Sequence, residues 1–491
     1  MEIYQNTKLK RMNAYYRIFD SNGDMLVVIE PGYIVNKHAY MIWRLLDEEK
    51  TLNGLLQDLC KYVKNAREED LIDRVIDTIK LFYVRHLLEV NGSAIDQLKY
   101  TYQNTQDEMD LCNEYKMMPI TQVDLVVTSG CNFKCRHCFI SQESRKKNSH
   151  IALADWKKII DKLSSNGLVS VVITGGEPLT YVFLFDLLDY IDKLGIRIQL
   201  LTNGYLLTEE KINRLSKYKN IVVQVSLDGS RALSNDFQRG KGSYEKIAEN
   251  VSMLVKYQIE TIVAMVLNKT NVKDIYDNSM FHEMESMGVN VLAITPSIIK
   301  ISNALNNSDD FLEADEALEA IRYIKKYTFN YTGKTIINIS APPALAEDCS
   351  ITRVRKERSR CRRGTNSFSI RSNGDVCVCS DFMEIGYPEY ELGNILNNNF
   401  CDILVRLNKV KEDKHQNLLK VKGVCSICKE LLYCGGACRA AAVAQYGDIL
   451  APYPLCQELY DKGDFPKEYI HSDREYADYT IIRERGQNEE L

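Results

Sequence analysis

Cys131, Cys135 and Cys138 stand as Cys-x3-Cys-x2-Cys within Thr128-Ser-Gly-Cys-Asn-Phe-Lys-Cys-Arg-His-Cys138, directly after the apolar run Val123 to Val127. Three thiolates in one loop can converge on one inorganic cluster. A 4Fe-4S cube takes four ligands, so three leave one iron open to a further molecule. Structural zinc is the competing reading, but it needs a fourth protein ligand and usually pairs Cys-x2-Cys units. After the next apolar run comes Gly175-Gly176-Glu177-Pro178, where glycines permit close backbone approach and a carboxylate offers an acceptor for an ammonium group. Most of the 15 cysteines lie in the last third of the chain. A disulfide scaffold is disfavoured in a chain this long whose polar start, Met1 to Arg11, carries no secretory apolar segment.

The first triad and the Gly-Gly-Glu-Pro element resemble the radical S-adenosylmethionine (SAM) superfamily. Further matches are Asn203 in Leu201-Thr-Asn-Gly204, Ser226 and Asp228 in Ser226-Leu-Asp-Gly229, and Arg239 in Arg239-Gly-Lys-Gly-Ser243. The resemblance implies that Cys131, Cys135 and Cys138 hold the SAM-binding 4Fe-4S cluster, with the ring of His137 beside the last of them. It also implies that Gly175, Gly176, Glu177 and Pro178 hold the methionine ammonium. Asn203 joins the cofactor site, Ser226 or Asp228 contacts the ribose, and Arg239 contacts the carboxylate. SAM chelating the open iron would then be cleaved to methionine and a 5′-deoxyadenosyl radical, chemistry that belongs to the cofactor and needs an anaerobic setting.

The C-terminal spacing reads Cys361, Gly374, Cys379, Cys425-x2-Cys428-x5-Cys434-x3-Cys438 and Cys456, with Leu392-Gly-Asn-Ile395 between. This seven-cysteine pattern resembles the SPASM domain, which implies two auxiliary 4Fe-4S clusters. Carried over by position, Cys425, Cys428, Cys434 and Cys456 ligate one; Cys361, Cys379 and Cys438 ligate the other, one short of four. Cys349 is favoured as the fourth. Cys377 remains open, since residues two apart on a strand share a face, and so does an iron left for substrate. In the sulfatase-maturing branch an Asp follows the second of these cysteines directly. Here Ser380 intervenes before Asp381, and on a strand that offset reverses the side chain. Cys60, Cys112 and Cys401 read as buried small hydrophobes.

These groups need a scaffold that gathers loops. Val123 to Val127, Val169 to Thr174, Ile198 to Thr202, Ile221 to Ser226, Thr261 to Leu267 and Val289 to Ile294 alternate with helical periodicity, as in Leu184, Leu187, Leu188, Ile191 and Leu194. Six β/α units predict a parallel sheet, α/β in class. Six is short of the eight of a closed (β/α) barrel, so a partial, TIM-type (β/α)6 barrel is expected, with its chemistry at the C-terminal strand ends.

Ahead of it, Ala14 to Phe19, Met25 to Ile29 and Tyr33 to Val35 predict a short antiparallel sheet. Three helices follow, striped by Ala39, Ile42 and Leu46, by Leu52, Leu55, Leu56, Leu59 and Val63, and by Ile72, Val75, Ile76, Ile79 and Phe82. With the run Tyr33-Ile-Val-Asn-Lys-His-Ala-Tyr-Met-Ile-Trp43-Arg-Leu-Leu-Asp47, this resembles the winged-helix-like RiPP recognition element of the PQQ-chaperone (PqqD-like) family. The resemblance implies an exposed sheet edge on which a leader peptide adds a strand.

The expected domains are a leader-recognition unit over 1–92, a linker over 93–118, the radical SAM barrel over 119–345, the SPASM domain over 346–460 and a charged tail over 461–491, read as a solvated extension or surface helix. A net charge of −5 supplies no basic face for nucleic acid. With no apolar run of membrane-spanning length, a cytoplasmic, non-membrane protein is expected. The layout resembles sactipeptide and ranthipeptide maturases, enzymes that modify a ribosomally made precursor peptide. The implied activity is hydrogen abstraction followed by Cys thioether formation, with flavodoxin or ferredoxin as electron donor. Carbon-carbon crosslinking, PQQ- or mycofactocin-type maturation, formylglycine formation and a non-catalytic electron carrier remain alternatives.

Overall fold

The computed structural model describes residues 4, 6–11, 16–21, 24–29, 33–62, 68–84, 87–90, 120–138, 140, 150–296, 310–346, 361 and 363–479. The 93–118 linker, Val63, Cys112 and Cys349 lie outside these residues.

Two units pack separately. The first, built on the N-terminal residues, holds six strands: β1 (Lys8–Arg11), β2 (Tyr16–Ser21), β3 (Asp24–Ile29), β4 (Tyr33–Asn36), β5 (Lys50–Thr51) and β6 (Leu88–Val90). The expected meander is β2-β3-β4, antiparallel throughout. A second sheet, β5-β1-β6, has no counterpart in the sequence reading, because strands of two to four residues are too short for alternation to register. The three helices are Lys37–Leu45, Leu52–Tyr62 and Glu68–Val84. Their stripes meet in one core of Trp43, Leu55, Leu56, Ile79 and Phe82. Trp43 Nε1 donates to Leu87 O at 3.3 Å, and the Arg11 guanidinium lies 4.2 Å over its ring.

The second unit is organised by one ten-stranded sheet. Its strands are β7 (Gln122–Thr128), β8 (Ser170–Gly175), β9 (Arg197–Thr202), β10 (Ile221–Ser226), β11 (Glu260–Leu267), β12 (Val291–Pro296), β13 (Ile336–Ile339), β14 (Ser367–Ile370), β15 (Asp375–Cys377) and β16 (Glu391–Asn394). The order is β13-β12-β11-β10-β9-β8-β7-β14-β15-β16. All six expected strands are present and parallel, and β13 extends the run to seven. The barrel-type sheet does not end at β7. β14, from the cysteine-rich region, adds parallel to it, and the hairpin strands β15 and β16 follow antiparallel. Parallel pairing puts every C-terminal strand end of β7 to β13 at one rim, where the first-triad loop and Gly175 lie.

The tail departs from expectation over its described part. The helix Pro454–Lys462 is followed by a segment laced to the cysteine loop: His471 N donates to Ile427 O at 2.8 Å, Lys429 N to Tyr469 O at 2.8 Å, and Gly423 N to Ala477 O at 2.7 Å. Phe465 is buried. Charge dominates its composition, but backbone groups and aromatic contacts decide its place, with Tyr476 stacked on Tyr460 and Tyr479 edge-on to Tyr446. Cys401 is exposed and Cys60 half-buried, so neither is the buried hydrophobe expected. Among the described residues no helix is long and apolar enough to cross a membrane.

Candidate active site and auxiliary thiol groups

β7 delivers Cys131 through a turn in which Gly130 N donates to Thr128 Oγ1 at 3.1 Å. The Gly175-Gly176 segment lies directly on this turn: Gly176 N donates to Thr128 O at 2.9 Å and Glu177 N to Gly130 O at 2.8 Å. A Cβ on Gly175 would come 2.4 Å from Thr128 O, and one on Gly176 2.3 Å from Gly130 O. The glycines are thus required by the approach of two loops, whatever ligand they also admit. Gly176→Ala is expected to lower stability by about 1–3 kcal/mol by overpacking against backbone, read as a fall in the urea midpoint of the anaerobically purified protein.

Cys135 lies within electrostatic reach of both Cys138 and Cys131, and burial pushes its thiol up to about 11. A thiol raised in this way is protonated at neutral pH, so binding iron at Cys135 must displace its proton.

Glu177 is almost wholly buried, and its carboxylate is engaged inside the protein. Oε1 accepts from Leu179 N at 3.0 Å and Thr202 Oγ1 at 2.7 Å, and Oε2 from Asn203 N at 2.7 Å. Burial raises its pKa, and these hydrogen bonds oppose the rise. The side chain braces the end of β8 to the end of β9. Asn203 in turn donates to Asn132 Oδ1 at 2.8 Å, tying β9 to the triad loop.

Asp228 is fully buried at the end of β10. Its Oδ2 lies 2.7 Å from His137 Nε2 and 2.7 Å from Arg239 Nε, and its Oδ1 accepts from Val266 N at 2.8 Å. Burial alone would raise its pKa; the Arg239 guanidinium and then His137 outweigh that and hold it below the carboxylate range. Asp228 and Arg239 are therefore each other's partners. Ser226 is half-buried at the same strand end.

Spacing alone had missed Gln238. Its backbone carbonyl accepts from Arg136 N at 2.9 Å, so it packs on the triad loop. Both its amide atoms, with Ser129 Oγ and His137 Nδ1, are buried without a hydrogen-bond partner. Unmet polar groups of this kind cost about 1–3 kcal/mol each. A wall carrying four of them fits a polar ligand such as SAM.

In the C-terminal region the thiols fall into two sets. Cys434 feels the charge of Cys425 and Cys428, and Cys456 that of all three. These four line one small pocket with Pro342, Tyr453 and Phe465. Burial pushes Cys428 and Cys434 up to about 12. Cys379 and Cys438 each feel Cys361. Cys377 is buried, and Cys379 feels its charge as well as that of Cys361. No three His, Cys, Asp or Glu side chains among the described residues close on a single-ion geometry.

The argument from a strand at Asp381 does not hold. Ser380–Ile385 is a helix capped by Cys379, so one residue turns the side chain by about 100° rather than to the opposite face. The Asp381 carboxyl remains within electrostatic reach of Cys379 and Cys438.

Comparison with known proteins agrees with this geometry. Residues 125–278 match the radical SAM superfamily, and residues 361–430 match an iron-sulfur cluster-binding domain, SPASM. The chain therefore carries a radical SAM domain followed by a SPASM domain, and its cofactors are a SAM-binding 4Fe-4S cluster, SAM and auxiliary iron-sulfur clusters. Among its relatives is the antilisterial bacteriocin subtilosin biosynthesis protein AlbA of Bacillus subtilis, 26% identical over 75% of this chain and 76% of that protein. Another is the AdoMet-dependent heme synthase of Methanosarcina barkeri, 26% identical over 69% of this chain and 95% of that one. The crystal structure of Streptococcus suis SuiB bound to precursor peptide SuiA shares the fold, with a TM-score of 0.62 at 15% identity, over 91% of this chain and 100% of that one.

Proposed function

We propose that this protein is a radical SAM maturase that installs Cys thioether crosslinks in a ribosomally made precursor peptide. The observation that carries the reading is the layout: a small sheet-and-helix unit, a partial barrel with a triad loop, and two separate thiol sets, in one chain. When bound, the cluster and SAM supply a 5′-deoxyadenosyl radical for hydrogen abstraction. The chain's own part begins with Cys131, Cys135 and Cys138 as iron ligands. Glu177 and Asn132–Asn203 fix the rim, while Asp228 orients His137 and Arg239 around it. Cys425, Cys428, Cys434 and Cys456 ligate one auxiliary cluster; Cys361, Cys379 and Cys438, with Cys349, ligate the other. The leader segment adds to an edge of the β2-β3-β4 meander, where β2 and β4 each pair on one side only among the described residues. Flavodoxin or ferredoxin delivers the reducing electron.

The kinship with a heme synthase supports a second reading, a tetrapyrrole substrate. The peptide reading is favoured by coverage. The heme synthase is matched almost from end to end, yet takes up only 69% of this chain. SuiB is matched over 91%, and that share has to include most of the first 121 residues, about a quarter of the chain.

The test is anaerobic incubation with SAM, reduced flavodoxin and Cys-containing peptides encoded in neighbouring short reading frames. The expected product is lighter by two hydrogens per crosslink and has lost alkylatable thiols. A peptide of unchanged mass, with an iron porphyrin consumed instead, would sink the peptide assignment. Reduced enzyme that forms no 5′-deoxyadenosine would point to the electron-carrier alternative.

A further inference from the structure

The loop Cys434-Gly435-Gly436-Ala437-Cys438 joins the two thiol sets, since Cys434 belongs to one and Cys438 to the other. Three consecutive residues in it have left-handed backbone, with φ of 69°, 75° and 54°, and the last is not glycine. L-residues avoid that region, so something must hold the loop there. Arg439 does so. Its Nη2 donates to Gly436 O, and its Nη1 donates to Ile449 O at 3.1 Å and Ala451 O at 2.7 Å. Gly436 packs flat on the guanidinium: a Cβ there would lie 3.1 Å from Arg439 Cζ.

Three backbone carbonyls satisfy the outer nitrogens, and no carboxylate pairs with this cation among the described residues. Among the described residues its Nε is buried with no hydrogen-bond partner. An orphaned N–H on an unneutralised cation beside a cavity lined by four thiols suits one kind of acceptor, the sulfur of an anionic cluster. Cys425, Cys434 and Cys456 all feel the charge of Arg439.

We propose that Arg439 sets the reduction potential of the auxiliary cluster held by Cys425, Cys428, Cys434 and Cys456, donating Nε–H to a cluster sulfur and holding that potential high. Reduction adds negative charge to the cluster, so a fixed cation and an N–H to sulfur favour the reduced form. Arg439 is thus a positioning and tuning residue, acting through the cluster and not on substrate. The inference rests on the ligand assignment proposed above.

The test uses the full-length chain carrying Cys131→Ala, Cys135→Ala and Cys138→Ala, so that only auxiliary iron remains, with Arg439→Met and Arg439→Lys added in turn. Iron content and an EPR-monitored redox titration are read. The expected result is wild-type auxiliary iron, one reduction step moved to lower potential in the Met variant, and the other step unmoved as an internal control. Lys, which keeps the charge but cannot present the planar fork, should fall between. If the Met variant loses iron, the Lys variant decides by the direction of its shift. Auxiliary iron present with both steps at parental potential in the Met variant, or in the Lys variant where Met cannot load, overturns the inference alone. No auxiliary iron in the parent chain removes the ligand assignment, and the inference with it.

Discussion

Cys131→Ala is expected to bring 5′-deoxyadenosine formation down to the background of the assay while leaving the auxiliary iron in place. Cys131 is the triad member nearest the strand, reached through a turn whose bonds, Gly130 N to Thr128 Oγ1 and Glu177 N to Gly130 O, are made by backbone and Thr128, while its thiol accepts from Phe133 N at 3.4 Å. The substitution therefore removes a ligand and one long sulfur-accepted bond but leaves the bonds of the turn in place. The side chain is only partly buried, and a surface-type truncation of this kind shifts stability by no more than about 0.5 kcal/mol. With two thiolates left, the loop would lack the third ligand that a 4Fe-4S cluster with one open iron requires. The loss should be catalytic and spectroscopic rather than structural: far-UV circular dichroism and the urea midpoint unchanged, total iron reduced by one cluster, and no product nucleoside by chromatography. Variant protein that still cleaves SAM at the parental rate would remove the triad from the mechanism and return the loop to a structural role.

The triad was legible because the chemistry of a cluster demands thiols at short spacing, and spacing is what a sequence displays. The division of the later cysteines was not legible from spacing: Cys434 and Cys438, four residues apart, keep different thiol neighbours, and only the resemblance to the SPASM domain had separated them. β7 to β12 were legible for another reason, apolar runs of five or more residues that alternate with helical periodicity. β13 and β14 fell below that threshold at four residues each. Neither period nor composition says that a cysteine-domain strand will complete the edge of a barrel sheet. The site's polar wiring was the least legible part. Glu177 pairs with groups 25 and 26 residues away, and Asp228 with a histidine 91 residues back. Only folding brings these together, so the sequence could nominate each residue but not the bonds that join it to the others. The Asp381 argument failed more simply: the direction of a side chain was inferred from a strand where Cys379 in fact caps a helix.

Asp228 carries the largest expected stability effect of any single side chain at the rim. It is fully buried, and the Arg239 side chain that faces it is 7% exposed, so neither charge has water to fall back on. Removing one member of a buried pair leaves the other uncompensated, a loss of about 3–5 kcal/mol. Asp228→Ala also strips the acceptor from Val266 N on β11 and the partner from His137 Nε2, so β10, β11 and the triad loop lose their common fastening. Asp228→Asn separates the contributions: the amide oxygen can still accept from Val266 N, while Arg239 loses its counter-charge. The expected order of urea midpoints is parent, then Asn, then Ala, with the SAM-binding cluster lost more readily in both variants than the auxiliary clusters. The pH dependence follows from the lowered carboxylate. A group whose folded pKa lies below its unfolded value, 3.8 here, contributes fully above that unfolded value and loses the contribution only as pH falls toward the folded one. The gap between parent and Asp228→Asn should therefore stay level from about pH 8 to about pH 5. A gap that closed within that window would mean that Asp228 titrates near neutrality, and the buried ion pair would not be what holds the rim together.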